Sequence, residues 1–231
     1  MSELVSVVLP TFNHARFLGA AVDSVLRQRY SPLELIIVDD GSADETAEVL
    51  AEVTDARVTI ASLSRNARLP RALNVGFALA QGDYLTWTSA DNEMLPDCLE
   101  VLAGFLDGNP GVGMVYASHR NVGTRTDTTV KVPFSHNLLL QGTNVVGPCF
   151  LYRREVMGAV GAYDPHCYGA EDYDMWLRIA QRFGIVALSD VLYVYRHHPD
   201  SITARSPREI GESRLLAQHK VLTARGGETG Q

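Results

Sequence analysis

Several clusters in this chain of 231 residues carry side chains able to do chemistry. The run Tyr84 to Pro96, YLTWTSADNEMLP, passes from an apolar stretch to Ser89, Asp91, Asn92 and Glu93. Oxygen donors gathered at one strand end form a hard-cation environment suited to Mg2+ or Mn2+. The same residue types also open helices and turns, so Asp91 read alone also suits an N-cap. Asp39 and Asp40 follow the apolar run LELIIV. There an acid can accept from a ribose hydroxyl or a base imide, or it can begin a strand-to-helix turn. Ser42 and Glu45 have the S-x-x-E spacing of a capping box. Glu171 and Asp172 open an amphipathic stretch, where acids suit the helix dipole. Arg196, His197 and His198 fall in the polar run YRHHPDS, and Arg65, Arg68 and Arg71 precede a helix.

The elements that must position these groups follow from periodicity. Val5–Leu9, Leu33–Val38, Arg57–Ser62, Tyr84–Thr88 and Val112–Ala117 read as strands. Helices are expected over Phe17–Leu26, after Asp40, over Pro70–Ala80 and near Asp97–Leu106. Such regular alternation predicts an α/β fold with a mainly parallel central sheet flanked by helices. Ligands of open α/β sheets bind beyond the carboxyl ends of the strands. Thr11–Asn13, Asp39–Asp40 and Ser89–Asn92 all fall at such ends, so they are expected to converge.

The second half is less regular. Arg120–Pro133 has no period, and Asn144–Tyr152 is a candidate strand. Ala170–Phe183 reads as a helix with an apolar stripe at 173, 176, 177, 180 and 183. Ile185–Tyr195 reads as a hairpin, giving a smaller mixed sheet, and Pro207–Ala224 as a terminal helix that covers its own domain or pairs in a homodimer. The whole is expected to be one domain over 1–224, with a nucleotide-binding half at 1–117 and an acceptor and catalytic half at 118–203. The terminal helix follows at 207–224, and 225–231 is a flexible tail.

The formal charge of −7 argues against nucleic acid or an anionic membrane as main partner. It also means that a phosphate ligand needs local compensation, which a cation held by acids would supply. Cys98, Cys149 and Cys167 are widely spaced and predict reduced thiols in a cytoplasmic protein. No apolar run approaches the ~18 residues of a membrane span. MSELVSVVLP lacks the basic lead of a signal peptide. Neither G-x-G-x-x-G nor a P-loop follows the first strand, where Pro10, Thr11, Phe12 and Asn13 stand instead.

In order, these pieces resemble the family 2 glycosyltransferases of GT-A (Rossmann-like) fold, in a non-processive bacterial form. VSVVLPTFNHARFLGAAVDSVLRQRYSPLELIIVDDGSADET is similar to that family's amino-terminal signature, and NVGFALAQGDYLTWTSADNEMLP to its middle segment. GAYDPHCYGAEDYDMWLRIAQRFGIVALSDVLYVYRHHPDSIT resembles its closing segment. The resemblance implies that Phe12 and Asp39 hold the nucleobase, lined by Pro10, Thr11, Asn13 and Ala90. It places Asp40 by the ribose and Arg68 on the base or diphosphate. Asp91 would bind the metal and His198 approach the metal or diphosphate. Asp172 matches the family's catalytic base, with Glu171 beside it.

The chain departs from the family's acidic metal motif at Ser89-Ala90-Asp91-Asn92, since Ala90 offers no ligand atom. Asp91 then carries Mn2+ or Mg2+ almost alone, and a weak or water-bridged ion is expected. The family's Q-x-x-R-W run and following membrane helices are absent from this sequence, which argues against polymer synthesis. The implied reaction is inverting transfer of a sugar from a UDP, TDP or GDP donor to a hydroxyl acceptor, glycan, lipid-linked or small. The implied setting is polysaccharide biosynthesis, cytoplasmic or peripheral at the inner membrane face. A degenerate relative that binds nucleotide or glycan without turnover is the alternative. A nucleotidylyltransferase is set aside because PTFNHARF has no glycine-rich activation loop.

Overall fold

The computed structural model describes residues 2–131 and 133–228, with side chains to 223. The first half alternates β1 (Val5–Thr11), α1 (Ala15–Leu26), β2 (Leu33–Asp39), α2 (Thr46–Ala51), β3 (Val58–Ser62), α3 (Leu69–Leu79) and β4 (Tyr84–Trp87). A short β5 (Glu93–Met94) leads to α4 (Cys98–Gly108), β6 (Val112–Gly123), β7 (Thr128–Thr129), α5 (His136–Leu140) and β8 (Phe150–Arg153). Then come α6 (Arg154–Val160), a 3-10 turn (Pro165–Cys167), α7 (Glu171–Ile179), β9 (Gly184–His197), α8 (Ile202–Arg205) and α9 (Pro207–Glu228).

One sheet joins both halves in the order β3-β2-β1-β4-β8-β6-β9-β5, with β7 on β6. β3, β2, β1 and β4 are mutually parallel. β8 runs antiparallel between β4 and β6, and β6 is parallel to β9. The unbroken apolar character of β1 and β2 follows from cover on both faces. Val5, Val7 and Leu9 pack with Leu18 and Val22 of α1 and Leu99 and Leu102 of α4. Val8, Ile36 and Val38 face Leu73 and Phe77 of α3 and Trp176 of α7. A sheet clamped on both faces can present ligands only at its edges and strand ends.

Several local expectations need correction. Ile185–Tyr195 is no hairpin but part of the single long strand β9. Its register against β6 jumps from Tyr116↔Ala187 to Ser118↔Val191. Leu188, Ser189 and Asp190 therefore bulge out, and their polar pair resembles a turn in sequence. Ser42 does not close a capping box: its hydroxyl accepts the Asn13 N–H, and Asp44 accepts the Thr46 N–H instead. Nor is Asp91 a helix cap, because α4 begins at Cys98 behind Asp97. The candidate strand at Asn144 begins only at Phe150, after Gly147 (φ 78°) and Pro148 break the run. The helix expected to reach Phe183 ends at Ile179. Residues 225–228, expected as tail, continue α9, while 229–231 lie outside the described residues.

α9 covers its own chain through Ile210, Ser213, Ala217 and Val221, which are buried along one face. Lys220 anchors it, with Nζ 2.7 Å from Asp164 and 2.5 Å from the buried Asp174. No helix among the described residues is long and apolar enough to cross a membrane.

The loop after β2 depends on Gly41 at φ 77°, where an added Cβ would lie 2.7 Å from the Arg65 backbone. Gly41→Ala is therefore expected to cost more than about 1 kcal/mol, since both backbone and space oppose the methyl group. Chemical denaturation checks this, and Gly19→Ala, in open space on α1, should cost nothing.

Candidate active site

The nucleotide-binding candidates stand on three adjacent parallel strands. Thr11 and Asp39 are paired across β1 and β2, and the Thr88 N–H extends the ladder from β4 onto Val8. These strand ends reach their positions because the apolar runs stop together where the helical cover stops. The Asp39 carboxylate accepts the Ser42 N–H at 3.0 Å. Asp40 is buried and accepts the Ala67 N–H at 2.7 Å, which ties this loop to the segment before α3. Burial pushes its carboxyl above the usual range, against the lowering effect of the Ala67 and Arg68 N–H groups.

Asn13 takes a left-handed backbone (φ 54°), and its side chain accepts the Ala43 N–H at 2.8 Å. The loops after β1 and β2 are thus stapled together. Phe12 is exposed at 39%, outside the core. Thr11 Oγ1 is buried with no hydrogen-bond partner in the structure. Pro10 and Ala90 are buried and can offer only backbone and surface.

Arg68 is also strained, at φ 71°. Its guanidinium pairs with Glu209 of α9 at 2.6 Å and lies over the Tyr168 ring. Beside it a cleft of about 380 Å³ is lined by Arg65, Arg68, Arg71 and Pro165.

Asp91 and His198 are in direct contact, with Oδ2 to Nε2 at 2.9 Å, and both are 9% exposed. The contact exists because β9 runs past the end of β4. Asn92 Oδ1 accepts the Arg196 N–H at 2.8 Å, and β5 pairs Glu93 with Val194. Asp91 Oδ1 and His198 Nδ1 are buried without partners. His14, from the loop before α1, brings a third ligand atom, all three lying within 4.8 Å of one another. These residues fit a divalent cation, since two imidazole nitrogens and a carboxylate oxygen lie close together and Asp91 Oδ1 is left unpartnered.

Glu171 and Asp172 begin α7. Glu171 is buried and accepts the Gly169 N–H at 2.6 Å. Its carboxyl is pushed up to about 8, first by burial and then by the neighbouring Asp172 charge. Asp172 accepts the Tyr173 N–H and, at 2.8 Å, the Asn144 side-chain amide. Burial raises its carboxyl too, while those two bonds and the Arg214 charge oppose the rise. One carboxyl of the pair thus holds its proton more readily, leaving the other with the donors that suit a carboxylate.

Two phenols connect the clusters. The Tyr195 hydroxyl is within electrostatic reach of both Asp91 and Asp172. Tyr168 is influenced by Glu171 and by Asp40, as well as by Arg68. Sequence reasoning missed His14, Asn144, Tyr168 and Tyr195. His14 had a usable signal, since it lies three residues past a strand end already marked as polar; Asn144 sits in an aperiodic loop and had none.

The family model for glycosyl transferase family 2 matches residues 6–161, which spans β1 to α6 and stops before the Glu171–Asp172 pair. Protein y4gI of Sinorhizobium fredii is 31% identical over 95% of this chain, which spans about 26% of that protein. S. aureus TarS, solved with UDP-GlcNAc, superposes with a TM-score of 0.77 at 18% identity, covering 92% of this chain and 65% of that one. The mannosyltransferase PcManGT of Pyrobaculum calidifontis, solved with GDP-Man and Mn2+, gives 0.69 at 21% identity, covering 98% and 76%. At such identities the solved structures speak for the fold, and they share the GT-A architecture expected from the sequence. The strand-end acids, the sheet order and the match over β1 to α6 agree: this chain belongs to glycosyl transferase family 2.

Proposed function

We propose that this glycosyltransferase transfers a sugar, with inversion, from a nucleoside-diphosphate sugar to a hydroxyl acceptor, with Asp172 as general base. The observation that carries this reading is Asp172 itself: a carboxylate oriented by the Asn144 amide, beside a Glu171 that burial favours in its neutral form.

In this reading Phe12 stacks on the base while Asp39 and the orphaned Thr11 hydroxyl bond its edge or the ribose. Asp40 orders the Ala67–Arg68 backbone from behind. Asn13 and Pro10 shape the floor. Arg68 exchanges Glu209 for the donor phosphates, an anion with which its planar fork pairs more strongly. The donor base is uracil, thymine or guanine; TarS and PcManGT, with UDP-GlcNAc and GDP-Man, support the first and last.

Asp91 and His198 would hold a divalent cation, Mn2+ or Mg2+, and PcManGT with Mn2+ supports this. Such an ion supplies Lewis-acid stabilisation of the diphosphate as it leaves. Asp172 takes the acceptor hydroxyl proton while the oxygen bonds to the anomeric carbon and the bond to the diphosphate breaks. Attack from the face opposite the leaving group inverts that carbon. In this reading roughly residues 118–146, including α5, form the acceptor side. We also read residues 1–224 as one working unit, at the cytoplasmic face of a membrane when the acceptor is lipid-linked.

Asp172→Asn keeps the Asn144 contact but removes the proton acceptor, so turnover of a UDP- or GDP-sugar should fall roughly 10²–10⁴-fold. Donor affinity by calorimetry should stay unchanged. Retained turnover would refute the base assignment.

Glu171 gives a separate pH signature. Its folded carboxyl is raised above 4.5, so the protonated form favours the fold. That stabilisation is complete below the unfolded value and is lost as pH rises through about 8. Relative to Glu171→Gln, the wild type should lose stability across this window, by up to about 1.4 kcal/mol per pH unit. Denaturation midpoints at stepped pH measure it, and parallel curves for the two proteins would contradict it.

A further inference from the structure

Asp91 alone is a poor anchor for a cation, because Ala90, at the place of a second acid, is buried and carries no ligand atom. The structure offers a replacement from an unexpected part of the chain. His14 is half-buried in the loop between β1 and α1, and its ring meets those of Phe17 and His198 at centroid distances of 6.3 and 6.0 Å. Its ligand nitrogen, one from His198 and an oxygen from Asp91 lie within 4.8 Å of one another.

An ordinary aromatic contact would account for His14 on Phe17, and a simple hydrogen bond for His198 on Asp91. Neither accounts for two further atoms of the same cluster. Asp91 Oδ1 and His198 Nδ1 are both buried and both unpartnered, although buried polar atoms nearly always find a partner. The adjacent cation does not serve them: Arg196 donates to the Asp91 carbonyl and is drawn onto Glu93 at 2.9 Å. Arg16, the other near arginine, is turned to Asp200.

We infer that His14 is a third metal ligand, so that His14, Asp91 and His198 form a two-imidazole, one-carboxylate site selective for transition-metal ions over Mg2+. The donor set decides the selectivity. Mg2+ prefers an all-oxygen octahedron and gives up water reluctantly. Imidazole nitrogen suits the later first-row ions, with affinity rising from Mn2+ to Co2+. Two imidazoles thus compensate for the absent acid and change which ion is held. This depends on the transferase reading only in assigning the ion to the leaving diphosphate; the site itself is read from the side chains.

The test uses the full chain with Mn2+, Mg2+ or Co2+ and no nucleotide. Calorimetry should show Mn2+ bound at least tenfold more tightly than Mg2+, with Co2+ tighter still. Pulsed electron spin resonance of bound Mn2+ should show couplings to two histidine nitrogens. His14→Ala should leave one coupling and weaken Mn2+ at least tenfold, while His219→Ala, on the exposed face of α9, changes neither. If His14→Ala fails to melt cooperatively, His14→Asn serves, and the nitrogen count on the wild type needs no variant. A single coupled nitrogen in the wild type, a smaller loss in the variant, or no Mn2+ binding would overturn the inference. The transferase reading fails separately, if a two-nitrogen site forms and no sugar-nucleotide is turned over.

Discussion

The parallel hydrogen-bonded ladder of β2, β1 and β4 is the constraint on which the site depends. Its register pairs Thr11 with Asp39 and continues Val8 toward Thr88, so three polar strand ends stop at one level. Apolar cover on both faces locks that register, because a slip by one residue would turn every buried Val and Leu of β1 to the opposite face. The Asp91–His198 contact adds a second constraint, since it fixes the far end of β9 against the loop after β4.

The other half of the site is brought in by the same sheet. β8 extends it antiparallel from β4, with β6 antiparallel to β8 in turn, and α7 packs across it through Trp176 against Phe150 at 4.6 Å between ring centroids. This packing sets the start of α7, and with it Asp172, facing the loop before β8 through Asn144. α9 then closes the back of α7, and its Lys220 joins Arg178 in neutralising the buried Asp174.

Much of this is written in local sequence. The strands through Trp87 and the helices α1, α3, α4 and α9 follow from period and punctuation, because each buries one stripe or two faces. Asp39, Asp40 and Asp91 were legible as a set because each ends an apolar run. The remainder is non-local. Ser42 and Glu45 have capping spacing, yet Asn13 from another loop captures the Ser42 hydroxyl. The bulge at Leu188–Asp190 carries the same residues as a turn, and only pairing with β6 reveals it. His14 became visible as a ligand only once β9 had brought His198 beside it. Arg68, expected on the donor, pairs with Glu209 of α9, a partner 141 residues away in the chain that no local pattern announces.

The central claim is that acids remote in the chain share one cleft with one cation. Paramagnetic broadening by Mn2+ in a nitrogen-15 correlation spectrum of the full chain tests it most directly. Amides of Gly41, Asn92, Asn144 and Tyr173 should all lose intensity at substoichiometric Mn2+, while those of Gly108 and Glu155, at the opposite end of the sheet, keep theirs. Broadening that spared Asn144 and Tyr173 while affecting Asn92 would separate the catalytic pair from the cation and contradict the account.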